Sequence, residues 1–365
     1  MRIVRMTAKI CAAFLAVAVL QKMASANTLK GISWNFQMGL EGIDNFSGGI
    51  QQGAVGNATE EGGLALNTGK AGLWAGGKFA FEFLGIQNGN PENYVGDLQG
   101  VSAYTGLSRG AVYKLYYRQA FGHANVRAGL ISANDYFDST GLASQFLNVS
   151  YGFTPTIGVN VPGASSYPYS SLGIMAAYAA SGWTGMAGVF GGDAIHPFRT
   201  PFDRGSMEWL ELDRAGHLGD GKYVVKLGGW ENQQKRPYQA TLGNSTSGLY
   251  SIGEYRWKNG GRDWGAFLEF GAAPDPVNAL PWYLGAGVRV KHLWASRPQD
   301  SIGIGMARAW LRGASYAAET DLETYYSAKL ASHLYLQPDL QYVVHPSGTY
   351  PDALVGILRL YANFS

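Results

Sequence analysis

The chain is 365 residues long with a formal charge of +2, and it has no basic excess of the kind a nucleic-acid partner requires. Its one cysteine, Cys11, lies near the N-terminus, so the rest of the chain forms no disulfide and offers no thiolate to a metal. Charged residues reach only 15%, below the roughly one-quarter of soluble domains, while aromatics reach 13% and there are 51 glycines.

Residues 1–26 read as a cleaved secretory signal. They have a basic start (Arg2, Arg5, Lys9), an apolar run over 10–20 and the small-residue exit Ala24-Ser25-Ala26. This reading starts the exported chain at Asn27, as one barrel domain over 27–365. The segment carries four basic residues, Lys22 among them, and no acid. The remainder, with 24 basic and 26 acidic residues, therefore carries −2. Nothing after residue 26 approaches the roughly 20 consecutive apolar residues of a spanning helix. The other structure that satisfies its backbone inside a bilayer is a closed β-barrel; a secreted soluble β-protein is the competing class.

The clearest hairpin covers residues 111–131. Tyr113, Leu115, Tyr117 and Phe121 share one parity of the first arm, with Gln119 as the exception, and Val112, Lys114, Tyr116 and Arg118 share the other. A tight turn at Gly122-His123 sets Arg118 opposite Arg127, Tyr116 opposite Gly129 and Tyr117 opposite Ala128. Residues 153–169 break the rhythm with Pro155, Gly158, Pro162, Gly163 and Pro168, and read as a long loop, either folded inward to narrow a pore or left on the surface. Residues 196–204 are a second irregular stretch.

Alternation resumes downstream. Tyr223, Val225 and Leu227 oppose Lys226; Tyr255 and Trp257 oppose Glu254, Arg256 and Lys258; Leu268 and Phe270 oppose Glu269; Val288 and Val290 oppose Arg289 and Lys291. Leu336, Leu340 and Tyr342 oppose Gln337, Asp339 and Gln341. Pro338 falls on the apolar side and reads as a bulge or strand end, because it cannot donate to a ladder. Leu354, Gly356, Leu358, Leu360, Ala362 and Phe364 form a closing strand. Units of about 20 residues divide the exported chain into about 16 strands, with 14 and 18 left open. The expected fold is all-β: a transmembrane antiparallel barrel.

Several segments carry a family resemblance. They are G-L-W-A-G-G at 72–77, Y-Y-R-Q-A-F-G-H-A-N-V-R-A-G-L-I-S-A-N-D-Y-F at 116–137, F-L-N-V-S-Y-G-F-T-P at 146–155, Y-P-Y-S-S-L-G at 167–173, R-P-Q-D at 297–300 and L-Q-P-D-L-Q-Y-V-V-H-P at 336–346. In this order they resemble the carbohydrate-selective outer-membrane porins, the OprB-like family. The resemblance implies a barrel in the outer membrane of a Gram-negative cell through which sugars diffuse passively. Ser365 after Phe364 departs from a family that usually ends on the aromatic itself.

Candidate pore-lining or sugar-contact residues follow from the polar faces. Lys114, Arg118 and Arg127 read as a basic wall, or as charges that merely fill and stiffen a barrel interior. Glu254 and Glu269 are the carboxylates expected across the lumen, where a transverse field would order water. Gln341 lies on the polar parity of its strand. Asn134 and Asp135 resemble the family's A-N-x-x-F stretch and read as sugar contacts or as turn chemistry. Trp230, with Trp74 and Trp310, reads as a stacking platform or as part of an aromatic girdle, and Arg289 and Arg359 as interior filling. The partners expected are carbohydrates and outer-membrane lipid, with the homo-oligomeric state open. No cofactor or metal is expected, and no catalytic residue. The six histidines show no H-E-x-x-H spacing, and no phosphate loop is present. An outer-membrane barrel enzyme hydrolysing lipid or peptide, and a structural or adhesive barrel, are the alternatives. Size-dependent swelling of sugar-loaded liposomes would separate a porin from both.

Overall fold

The computed structural model describes residues 30–198, 202–234 and 245–365; the proposed signal over 1–26 and residues 199–201 of the second irregular stretch lie outside the described residues. Sixteen strands form one closed antiparallel sheet, each paired with its neighbours in sequence and β1 paired with β16. They are β1 (Ile32–Ser47), β2 (Gly53–Asn67), β3 (Gly77–Gln87), β4 (Arg109–Phe121), β5 (Ala124–Ile131), β6 (Ser171–Ala180), β7 (Trp183–Gly191) and β8 (Gly205–Leu218). The second half holds β9 (Gly221–Gln234), β10 (Ser245–Asn259), β11 (Arg262–Ala272), β12 (Trp282–Lys291), β13 (Ser301–Trp310), β14 (Ala318–Ala331), β15 (Leu334–Val344) and β16 (Ala353–Phe364). Closure removes every sheet edge, so each strand's backbone groups find partners on both sides. One end of the barrel carries tight turns, such as Ser181-Gly182, whose φ of 52° and 79° suit the strand twist of a two-residue hairpin. The other end carries the longer connections.

The alternation read from the sequence sorts the two faces. Leu210, Leu249 and Ile304 point outward and are each 66% exposed, while Glu211, Asn232 and Glu323 on the opposite parity are buried inside. An apolar outside with a polar inside is the pattern of a barrel in lipid. The hairpin β4–β5 has the expected register, with Arg118 opposite Arg127, Tyr116 opposite Gly129 and Tyr117 opposite Ala128. Two side chains of its first arm take the face opposite to the expected one. A register shift at Glu82/Phe83 makes Tyr113 the extra residue of a bulge, so Tyr113 turns inward and is buried while Val112 turns outward. Pro338 is neither a bulge nor a strand end. It sits inside β15, fully in register with Leu358 of β16; on the β14 side the register runs on unchanged, but no pair forms at Tyr326, where the proline has no N–H to give. The bulge of this ladder lies further on, at Lys329/Ala331.

Two long connections fold into the barrel. The β5–β6 connection spans 132–170, longer than the 153–169 segment the sequence marked, and includes three short 3-10 turns and the single-turn helix Pro155–Gly158. Its Phe137, Phe153 and Ile157 pack on Phe190, Trp209, Trp230 and Tyr250 of the wall. Further along, Leu142, Phe146 and Tyr151 pack on Phe267, Tyr283 and Tyr325. Burying side chains of this size contributes on the order of 2 kcal/mol each. The β3–β4 connection, 88–108, also turns inward and sets Val95 and Val101 against Ile43, Val343 and Val355. The molecule's interior core is therefore made between inward loops and the barrel wall.

Candidate functional site: the lumen and its inward loop

Carboxylates on the inner wall hold the loops by their backbone. On β10, Glu254 Oε1 accepts from the N–H of Gly141 and Leu142 at 2.6 Å and from the Thr140 hydroxyl, and its Oε2 accepts from Arg256 at 2.8 Å. On β14, Glu323 accepts from the N–H of Leu147 and Asn148, and Glu319 from those of Leu98, Gln99 and Ser347. Asp321, between them in the same inward row, accepts from Asn148 Nδ2 at 2.8 Å. Glu211 on β8 accepts from the Asp138 N–H at 2.8 Å and from Tyr250. A buried carboxylate that receives several N–H groups keeps its charge solvated by the protein, and the loop gains a fixed seat.

The nine sequence candidates divide by what they touch. Lys114 is the centre of an ionic bridge. Its Nζ lies 2.7 Å from Glu82 and 2.7 Å from Asp135, with Glu61 at 3.9 Å, so Asp135 ties the loop to the β3–β4 wall. The Arg127 guanidinium carbon lies over the loop's Tyr136 ring, 4.3 Å from its centroid, and Arg118 stands beside it in register. These four residues come together on one side of the lumen. Asn134 folds back on the loop itself, donating to the carbonyls of Phe137, Asp138 and Gly152. Glu254 grips the loop as described, and Glu269 accepts from the Tyr283 hydroxyl at 3.2 Å; neither is within ion-pair distance of Arg118 or Arg127. Trp230 packs under the loop beside Trp209. Gln341 donates to the Val101 carbonyl at 2.9 Å, holding the β3–β4 connection.

Among the other residues weighed, Trp74 is half exposed on the outside, its Nε1 donating to Tyr117, and Arg308 covers Trp310 at the long-loop end. Arg289 donates to Gln145 of the loop, and Arg359 pairs with Glu41 at 2.6 Å beneath Tyr104. The row Glu319, Asp321 and Glu323 was missed. Its signal was present as three acids on one parity of a strand, but their N–H donors lie far away in the chain.

Between the two inward loops lies a recess of about 230 Å³ lined by Leu98, Gln99, Ser150, Phe153, Tyr167 and Tyr169 among others, with no charged side chain among the described residues that line it. Arg109 stacks on the Tyr169 ring at 4.7 Å and donates to the Pro168 carbonyl, fixing that edge.

A closed sixteen-stranded barrel with an apolar outer belt, a polar interior and long loops folded into the lumen is an outer-membrane porin, a channel rather than an enzyme. The particular family follows from comparison with known proteins: a family model for the carbohydrate-selective porin, OprB family, matches residues 62–364, and the chain belongs to that family. The high-pH structure of Pseudomonas putida OprB superposes with a TM-score of 0.81 at 17% identity, covering 92% of this chain and 94% of that one. Its low-pH structure gives 0.63 at 16% identity, covering 92% and 93%. OmpF of Salmonella typhi in complex with daunomycin gives 0.61 at 7% identity, covering 92% and 98%. No curated protein matches significantly by sequence.

Proposed function

We propose that this carbohydrate porin passes monosaccharides, and small oligosaccharides at its upper size limit, passively into the periplasm, each chain forming its own pore. Residues 1–26 direct export and are removed, and the apolar belt sits in the outer-membrane lipid of a Gram-negative cell. The observation that carries the reading is the recess between the inward loops. It joins the aromatic faces of Phe153, Tyr167 and Tyr169 to backbone polar groups without any charge. Neutral sugar rings present C–H faces to aromatics and hydroxyls to polar groups, and selectivity in such a pore comes from its diameter and lining. The four residues gathered at Lys114, Asp135, Arg118 and Arg127 serve as the charged side of the passage.

Reconstitution into liposomes tests this. Swelling rates should fall steeply from pentoses to hexoses to disaccharides, and planar bilayers should show discrete conductance steps. Swelling that does not depend on sugar size, or bilayers without steps, would remove the porin mechanism.

A further inference from the structure

Lys78, Arg118 and Arg127 stand side by side on β3, β4 and β5: Lys78 is in register with Arg118, and Arg118 with Arg127. All three are on the inward parity, since Phe79 and Val126 next to them are outside. Like charges directly opposite one another destabilise a sheet pair. The usual remedy is missing, because none of the three makes an ion pair among the described residues, and the Nε of both Arg118 and Arg127 is buried without a hydrogen-bond partner. Lys114, only four residues from Arg118, draws three carboxylates to itself. The chain thus neutralises one cation of this wall and leaves a rung of three beneath it.

The rung continues toward the tight-turn end. Asn67 of β2 is in register with Lys78, and beside them opens a cavity of about 510 Å³ lined by Lys30, Ser33, Asn67, Lys70 and Lys78, with no acidic residue in its lining. Lys78 belongs to both the rung and the cavity. In a barrel of this kind the tight turns face the periplasm. A line of positive charge therefore runs from the loop residue Tyr136, which holds Arg127, out to the periplasmic mouth.

We propose that this line is a binding track for anionic monosaccharides, sugars bearing a carboxylate or a phosphate, which the channel carries in addition to neutral sugars. The proposal rests on the porin reading above. A guanidinium presents a planar fork of donors that matches either anion, and an ammonium adds a point charge further along. Asn67 and Ser33 offer neutral groups for hydroxyls. A row of one sign in a low-dielectric wall raises the local concentration of the opposite ion.

The test measures gluconate, glucose 6-phosphate and glucose fluxes in parallel through proteoliposomes. At low ionic strength the wild-type flux ratio of gluconate or glucose 6-phosphate to glucose should exceed one, and it should decline as salt screens the track. K78Q should lower that ratio about tenfold, K78R should restore it, and the surface pair K30Q/K70Q should lower it in part. A preference for only one of the two anions supports the track and identifies the acid group it takes. A wild-type ratio of one or less, or a ratio that K78Q and K30Q/K70Q leave unchanged, overturns the proposal. Absence of any sugar flux would instead count against the porin reading itself.

Discussion

Glu254 shows what a single inward carboxylate does in this protein: it receives three donors from consecutive loop residues and so converts a strand position into a clamp. Asp138 makes the reciprocal contact from the loop. It adopts a left-handed backbone (φ 52°), donates its N–H to Glu211, and its carboxyl accepts from the N–H and hydroxyl of Thr154 at 2.7 Å. Burial pushes its pKa from 3.8 up to about 7, the hydrogen bonds from Thr154 opposing the rise and the nearby Glu211 adding to it; Lys226 opposes it too, and Tyr250 and Glu269 are the other titratable groups facing it. In the unfolded chain the group loses its proton near pH 4, whereas in the folded chain it holds it to about pH 7. The folded state binds the extra proton in that window, so this residue's contribution to stability falls as pH rises from about 4 to about 7 and is level above. The difference in unfolding midpoint between the wild type and Asp138→Asn should change across that window and be flat above it. A difference that does not vary with pH would refute the assignment.

At the level of elements, the loop's seat depends on what the wall leaves out. Gly305 of β13 faces the loop, and a Cβ there would come within 2.9 Å of both Phe146 and Tyr151. Gly305→Val should therefore lift this part of the loop from the β13 wall and raise single-channel conductance, with larger current noise; conductance equal to wild type would show that the loop does not limit the passage. Pro338 makes the opposite case. Its ring removes one hydrogen bond from the β14–β15 ladder in a strand that is otherwise in register. Pro338→Val supplies the missing donor on a lipid-facing position and should stabilise the barrel by about 1 kcal/mol, read as a higher unfolding midpoint in detergent. A lower midpoint would mean that the Tyr326 side of the ladder is already satisfied another way. The hairpin at 111–131 was legible because a two-residue turn dictates register. The Tyr113 bulge was not, because the extra residue is defined only against Glu82 and Phe83 of the next strand.

For the whole molecule, the balance of charge matters more than its sum. Wall acids on β8, β10 and β14 are engaged in holding loops, whereas Arg118 and Arg127 remain partly exposed beside the lumen. The passage is accordingly expected to favour anions, and replacing both arginines by glutamine should shift the reversal potential in a salt gradient toward cation selectivity. An unmoved reversal potential would take these residues out of the conducting path. An inner wall covered by two loops also explains how a barrel of this width works as a sugar channel. The lumen is filled by packed side chains along much of its circumference, and solute passes through what the loops leave.

Local chemistry settled much of this in advance. Period-two alternation, tight-turn glycines and the length of each arm favoured a barrel over a soluble β-protein and assigned most side chains to one face or the other, because each of these depends only on neighbours along the chain. The basic residues at 114, 118 and 127 were recognisable for the same reason. Only the tertiary structure decided which charges are free. Lys114 is neutralised by an aspartate from the loop, Glu254 and Glu323 are occupied by N–H groups more than a hundred residues away, and Lys78 joins Arg118 and Arg127 through strand register. Those pairings arise when the loops turn inward and the sheet closes, and no spacing within a single strand encodes them.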